Sequence, residues 1–205
     1  AEFCAAGLWT GVGPALAEQL AVAGVTAPER VSIATLAALP RVTDKRANRL
    51  YTAWIGAGHL YQLAELLVPQ DIPVRWVTRL TDALGDGAVG MLREDPWRLL
   101  VLPDAAVAQA DRLARVIDPA VRPDDRRRTR ALVDWSLARF AREGHTAAPV
   151  DLVAEALRPF GIDTLAGVAT AVHAAVQAHL VVEVSDPTGA GEPWVARAPL
   201  AAAED

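Results

Sequence analysis

Apolar positions recur at helical spacing along most of the chain, and short breaks of proline, glycine and aspartate separate the runs. Leu16 and Leu20 mark a first helix, which Gly24 ends. The stretch APERVSIATLAALPRVTDKRANRLYTAWIGAGHL reads as helix, turn, helix. Leu36 and Leu39 close one helix, Pro40 to Asp44 make the turn, and Ala47, Leu50 and Trp54 form the stripe of the next. Gly56-Ala57-Gly58 breaks that helix and leaves His59 in a loop. A third stretch holds a helix ending at Gly85, a short helix ending at Asp95-Pro96-Trp97, and another from about Val107. Three times a helix leads through a short turn into a second helix, a loose internal repeat.

After Pro119 the grammar changes. PDDRRRTRALVDWSLARFAREG starts with acidic residues after a proline, as a helix N-terminus does, and Val133, Leu137 and Phe140 make its apolar stripe. HTAAP is short and extended, Val150 to Leu157 is a helix, and Thr164 to Gln177 is a longer one. HLVVEVSD, PTGAGE and PWVARAP read as strand, flexible loop, strand. Helix, short strand, two helices and a hairpin is the winged-helix order. The tail LAAAED reads as a frayed end or linker. The expected fold is therefore mainly α, with tandem helix-hairpin-helix units followed by a winged-helix-like α+β subdomain. Its expected segments are 1–60, 61–118 and 119–205.

Composition narrows the classes. The chain has 205 residues, 52% of them hydrophobic, and a formal net charge of −5. It suits packed cores and argues against strong non-specific binding to nucleic acid through a broadly basic surface. Cys4 is the single cysteine, which excludes an internal disulfide or a cysteine-rich zinc site and fits a reducing, cytoplasmic setting. No signal peptide is read at the start. The uncharged run Thr164 to Val182 approaches membrane-spanning length but reads as a buried helix followed by a strand. Lys45 is the one lysine and follows Asp44, so the chain has no phosphate-binding loop of the GxxxxGK[ST] type.

The candidate chemistry is anion binding. In GVGPALAEQL, Gly11, Val12, Gly13 and Pro14 form a tight turn feeding a helix N-terminus, whose amides and dipole suit an anion. Lys45 and Arg46 head the second repeat's last helix, with Arg49 a turn on, and could add phosphate contacts or form a solvated face with Asp44. Arg126, Arg127, Arg128 and Arg130 are the densest basic cluster, with Arg126, Arg127 and Arg130 on roughly one helix side. They could grip a polyanion, meet an acidic protein surface, or pair with Asp124, Asp125 and Asp134. The helix Thr164–Gln177 has no lysine or arginine, which argues against base reading by that element and for packing against protein. His173 and His179 are placed on different sides of one helix, and no metal site is read. The tryptophans read as core, with Trp9 the exception to test as a stacking platform. No catalytic centre is read from the residues.

These residues resemble a family. GVGPALAEQL is similar to the helix-hairpin-helix DNA-binding motif, and the order of motifs resembles the region ahead of the motor in stand-alone RecD-like DNA helicases. Glu94 to Leu100 (EDPWRLL) and Ala108 to Ala114 (AQADRLA) occupy the places of that family's asparagine-proline-tyrosine-type turn and alanine-aspartate pair. DRRRTRALVDWSLARFAREGHT resembles its arginine-led helix ending in glycine-histidine-threonine. The likeness runs from about Gly11 to Val184. Arg41 and Thr43 replace the glycines of the second hairpin, and Asp104 and Ala106 those of the third.

The resemblance implies an accessory, non-catalytic region of an ATP-dependent 5′–3′ helicase active in DNA repair or recombination. Its partners would be single-stranded or forked DNA, held without sequence preference, and the helicase motor or another protein, with no membrane. ATP and Mg would belong to the motor, and this chain would carry no cofactor. Phosphates would be met by Gly11, Val12, Gly13, Pro14, Lys45, Arg46, Arg126, Arg127 and Arg130. The alternatives are a protein-interaction adaptor whose hairpins no longer touch DNA, and the DNA-binding region of a structure-selective nuclease.

Overall fold

The computed structural model describes residues 2–186, 189, 191 and 193–198. The expected linker at 200–205 and most of the loop 187–192 lie outside the described residues. The fold is mainly helical with one small antiparallel sheet. It divides into two compact units, Ala1–Met91 and Leu92–Asp205. Boundaries at 60 and 118 are therefore not where the compact units part. The helix that follows residue 57 packs with the one before it and the one after it, and the helix ending at 117 packs within the second unit.

The first unit is a chain of short helices: α1 (Glu2–Ala5), α2 (Pro14–Val22), α3 (Ile33–Ala37), α4 (Asp44–Gly56), α5 (Gly58–Leu67) and α6 (Trp76–Leu84). Local chemistry sets their ends. Pro14 occupies the first turn of α2, where its missing N–H costs nothing, and Gly24 at φ +71 stops the chain behind it. Ser32 and Thr35 cap α3 reciprocally, each hydroxyl accepting from the other's backbone amide at 3.1 and 2.9 Å. Gly58 does not break the chain into a loop. Ala57 caps α4, and α5 restarts at once, so His59 sits in the first turn of α5, 3.6 Å from Asp86. Leu20, Leu36, Leu50, Leu63, Leu67, Val77 and Leu80 are buried in the core, each worth about 1.5–3 kcal/mol of transfer free energy.

Two turns in this unit share one backbone. The Val12 amide donates to Trp9 O at 3.1 Å, and the Val42 amide to Leu39 O at 3.2 Å. Gly11 has φ +88 and Arg41, thirty residues later, φ +63. Gly13 and Thr43 are extended N-caps, and their carbonyls accept the first helical bonds, from Ala17 at 2.9 Å and Ala47 at 2.8 Å. Val12 and Val42 point inward at 5% and 9% exposure.

The helix α7 (Ala88–Glu94) contains the unit boundary. The second unit continues with a 3-10 segment Pro96–Val101, α8 (Val107–Ile117), α9 (Arg126–Arg142), β1 (Ala147–Pro149), α10 (Val150–Leu157), α11 (Leu165–Gln177), β2 (Val181–Val184) and β3 (Trp194–Arg197). The sheet order is β1-β3-β2, both pairings antiparallel, with Ala148 opposite Val195 and Glu183 opposite Val195 on the other side. α9, α10 and α11 pack together and α9 covers the sheet. Leu132, Val133, Leu137, Val153, Leu157, Ala171 and Val181 form that core. No single helix among the described residues is long and apolar enough to cross a membrane; α11 and β2 divide the uncharged run, as its composition suggests.

Candidate functional site

The first turn is open. Gly11, Gly13, Pro14 and Ala15 are exposed, and only Val12 is pegged into the core. Glycine is required at 11 for two reasons: φ +88 disfavours any side chain, and a Cβ there would lie 3.2 Å from Leu50 Cδ2. Neither reason applies at 13, where φ is −86 and an added Cβ would meet nothing within 4 Å. What a bare Gly13 does is leave the start of α2 uncovered. The amides of Ala15 and Leu16 precede the first helical bond, and no side chain caps them. Unbonded N–H groups at the positive end of a helix dipole attract an anion.

The second turn has the same path and a different surface. Thr43 Oγ1 accepts from the Arg46 amide at 3.3 Å, so one donor of α4 is already engaged. Arg41, Lys45, Arg46 and Arg49 are all exposed, and none pairs with a carboxylate among the described residues. Asp44 is the one acid among them. The third turn, Leu102–Ala106, repeats the closing bond, Ala105 N–H to Leu102 O at 3.0 Å. Here Gln109 Oε1 accepts from the amide of Ala106, the residue before α8, at 2.9 Å, while no side chain caps the Val107 and Ala108 amides. The Gly85-Asp86-Gly87 stretch shares the letters of the first turn but not its bonds: Ala88 N–H reaches Gly85 O at 3.1 Å.

The arginine cluster at the head of α9 is largely engaged inside the second unit. Arg126 is exposed with no ion-pair partner among the described residues. Arg127 makes a two-bond fork to Asp125 at 3.0 and 2.8 Å, donates to Glu94 O at 2.7 Å, and lies 5.7 Å from the Trp97 ring centroid. The hydrogen bonds from Arg127 hold the Asp125 carboxyl below its ordinary range, and in return keep the Arg127 guanidinium protonated more firmly. Arg130 donates to Asp95 at 2.7 Å. Arg128, 7% exposed, spends every guanidinium nitrogen: two on Asp111 at 2.9 and 3.1 Å, and one on the carbonyls of Pro123 and Phe160, both at 3.1 Å. Asp111 also accepts from Trp97 Nε1 at 2.7 Å. The local pairing expected from sequence occurs only between Arg127 and Asp125. Asp124 pairs with Arg122, and Asp134 with Arg197 on β3 at 2.7 Å.

Trp9 is not a stacking platform. It is 2% exposed, donates to Leu50 O at 2.9 Å, and packs into an aromatic group with Trp54, 4.8 Å away between centroids. Trp97 is likewise buried. His173 is exposed on α11, and His179 lies past the end of that helix at φ +55, so the two do not share one. Among the described residues no group of histidine, cysteine, aspartate or glutamate could hold a metal. The exposed positions of α11, Leu165, Ala166, Ala169, Thr170, His173 and Gln177, carry no formal charge.

Residues 57–147 match the family model described as the ATP-dependent RecD2 DNA helicase HHH domain. The match covers α5 to α9 with the third turn between them, so over this stretch the resemblance to the helix-hairpin-helix region of RecD-like helicases is shown. The first and second turns precede it. No curated protein matches the chain.

Proposed function

We propose that the chain is a non-catalytic, DNA-holding and scaffolding region of an ATP-dependent RecD2-type helicase. It takes single-stranded or forked DNA by its phosphates, without reading bases. The first two turns with their flanking helices form tandem helix-hairpin-helix units, and α9 to β3 form a winged-helix-like unit that packs against protein. ATP and Mg serve the motor. The setting is cytoplasmic.

One observation carries this reading: the first turn leaves the Ala15 and Leu16 amides uncapped behind an exposed Gly13. Backbone amides meet phosphate oxygens and cannot distinguish bases. Lys45 and Arg46 add cations in the same unit, and Arg126 is the free member of the arginine cluster. Gly13→Val tests the amide site, since φ −86 admits valine and the space is open. Affinity for a labelled forked oligonucleotide at about 50 mM salt is expected to fall several-fold while the melting temperature stays within a few degrees. Unchanged affinity in that variant overturns the amide site.

The adaptor reading has its own support. Arg127, Arg128 and Arg130 are engaged internally, and the exposed face of α11 is uncharged. It predicts no DNA binding by the wild-type chain at physiological salt and stable co-elution with a helicase motor.

A further inference from the structure

The two equivalent turns of the first unit differ at the residue in the left-handed region: Gly11 in one, Arg41 in the other, at φ +63. An L residue other than asparagine or aspartate is uncommon there, and achiral glycine would fit the same backbone without strain. The Arg41 side chain is exposed and fills no gap in the core. It stands at the head of a patch with Lys45, Arg46 and Arg49, four cations within nine residues against the single carboxylate of Asp44. Lys45 and Arg49 are one turn apart on the same side of α4. Thr43 has meanwhile taken up the Arg46 amide. The second turn has thus lost the bare backbone of the first and gained ionic side chains in its place.

We infer that Arg41 makes the second turn a phosphodiester-binding element working through guanidinium and ammonium groups, where the first works through amides. Arg41, Lys45 and Arg49 hold a DNA strand that also meets the first turn, with Arg41 replacing by its side chain the contact a glycine turn would make with its backbone. The two turns belong to one unit, and Leu50, on which the first turn rests, lies about 8 Å along the α4 axis from Lys45. This rests on the phosphate-binding reading above and adds a division of labour to it. Amides of the first turn set position; cations of the second supply the salt-sensitive share, because each neutralised phosphate releases condensed counterions.

The experiment follows binding of a labelled forked oligonucleotide to the full chain between about 50 and 200 mM salt. Arg41→Gly is expected to weaken binding several-fold at the low end and to make the log–log salt slope shallower by about 0.7 to 0.9 per lost phosphate contact. Its melting temperature stays at or above the wild-type value, since glycine accommodates φ +63. Arg41→Lys keeps the slope, which separates charge from backbone relief. Wild-type affinity and slope in Arg41→Gly overturn the inference. If Gly13→Val still weakens binding in that case, the phosphate-binding reading stands without it. A wild-type chain that binds no DNA overturns both.

Discussion

Gly11 and Gly13 stand two residues apart and answer to different demands. At Gly11 the backbone itself excludes a side chain, and Leu50 closes the space. Gly11→Ala is expected to cost about 1–2 kcal/mol in urea denaturation from the left-handed backbone alone, with the Leu50 contact adding to it. Gly13→Ala is expected to cost less, about 0.5–1 kcal/mol in the same measurement, because its backbone is ordinary and its surroundings open and only the preference for glycine over alanine at an N-cap is lost. Asp125 gives a pH signature at this scale. Its folded carboxyl titrates below its ordinary value of 3.8 because Arg127 hydrogen-bonds the ionised form. The pair's contribution is therefore complete above pH about 4 and lost as the pH falls through the depressed folded value. Asp125→Asn keeps the cap on the Arg127 amide and removes the charge. Its stability is expected to fall less than that of wild type between pH about 5 and 3, measured by thermal melts.

At the scale of elements, α9 is held by its basic residues as well as by its apolar stripe. Arg128 and Asp111 tie it to α8, and Arg130 and Asp95 tie it to the 3-10 segment that Asp95 itself caps. The Arg128 side chain is 9% exposed and that of Asp111 19%, so removing one partner strands a charge in the interior. Asp111→Ala is expected to cost about 3–5 kcal/mol in chemical denaturation, and Asp111→Leu combined with Arg128→Met to recover much of it. A double variant as unstable as Asp111→Ala would show that the carbonyl contacts of Arg128 or the Trp97 bond to Asp111, not the charge pairing, hold the helix. These attachments were illegible in the sequence. The run of arginines was visible, but their partners lie 17 to 35 residues away, and no local spacing encodes such a reach. Elements with local punctuation were legible: α10 runs from Val150 to Leu157, as expected after the extended HTAAP stretch. The first turn was legible for the same reason. His59 was misplaced because Gly58 reads as a breaker, whereas Ala57 turns the chain in a single residue. Trp9 was misjudged because sequence proximity to the turn says nothing of side-chain direction, which a bond to Leu50 O fixes inward.

Across the whole chain, charge is distributed rather than merely acidic. A net −5 coexists with the cation-rich stretch 41–49, while the exposed face of α11 has no formal charge. A phosphate chain is drawn to the first and gains nothing from the second, since neutral side chains release no counterions. On the winged-helix reading proposed above, α11 is the helix that would enter a groove, and it has neither a cation for phosphate grip nor an arginine to read guanine. Chemical-shift mapping with single-stranded DNA is expected to move amides of residues 11–16 and 41–49 and leave those of 165–177 in place. Thr170→Glu, on the exposed side of α11, is expected to leave DNA affinity unchanged within error while weakening association with a motor domain that packs on that face. A several-fold loss of DNA affinity in Thr170→Glu would place the nucleic acid against α11 and reverse the assignment of binding and scaffolding between these surfaces.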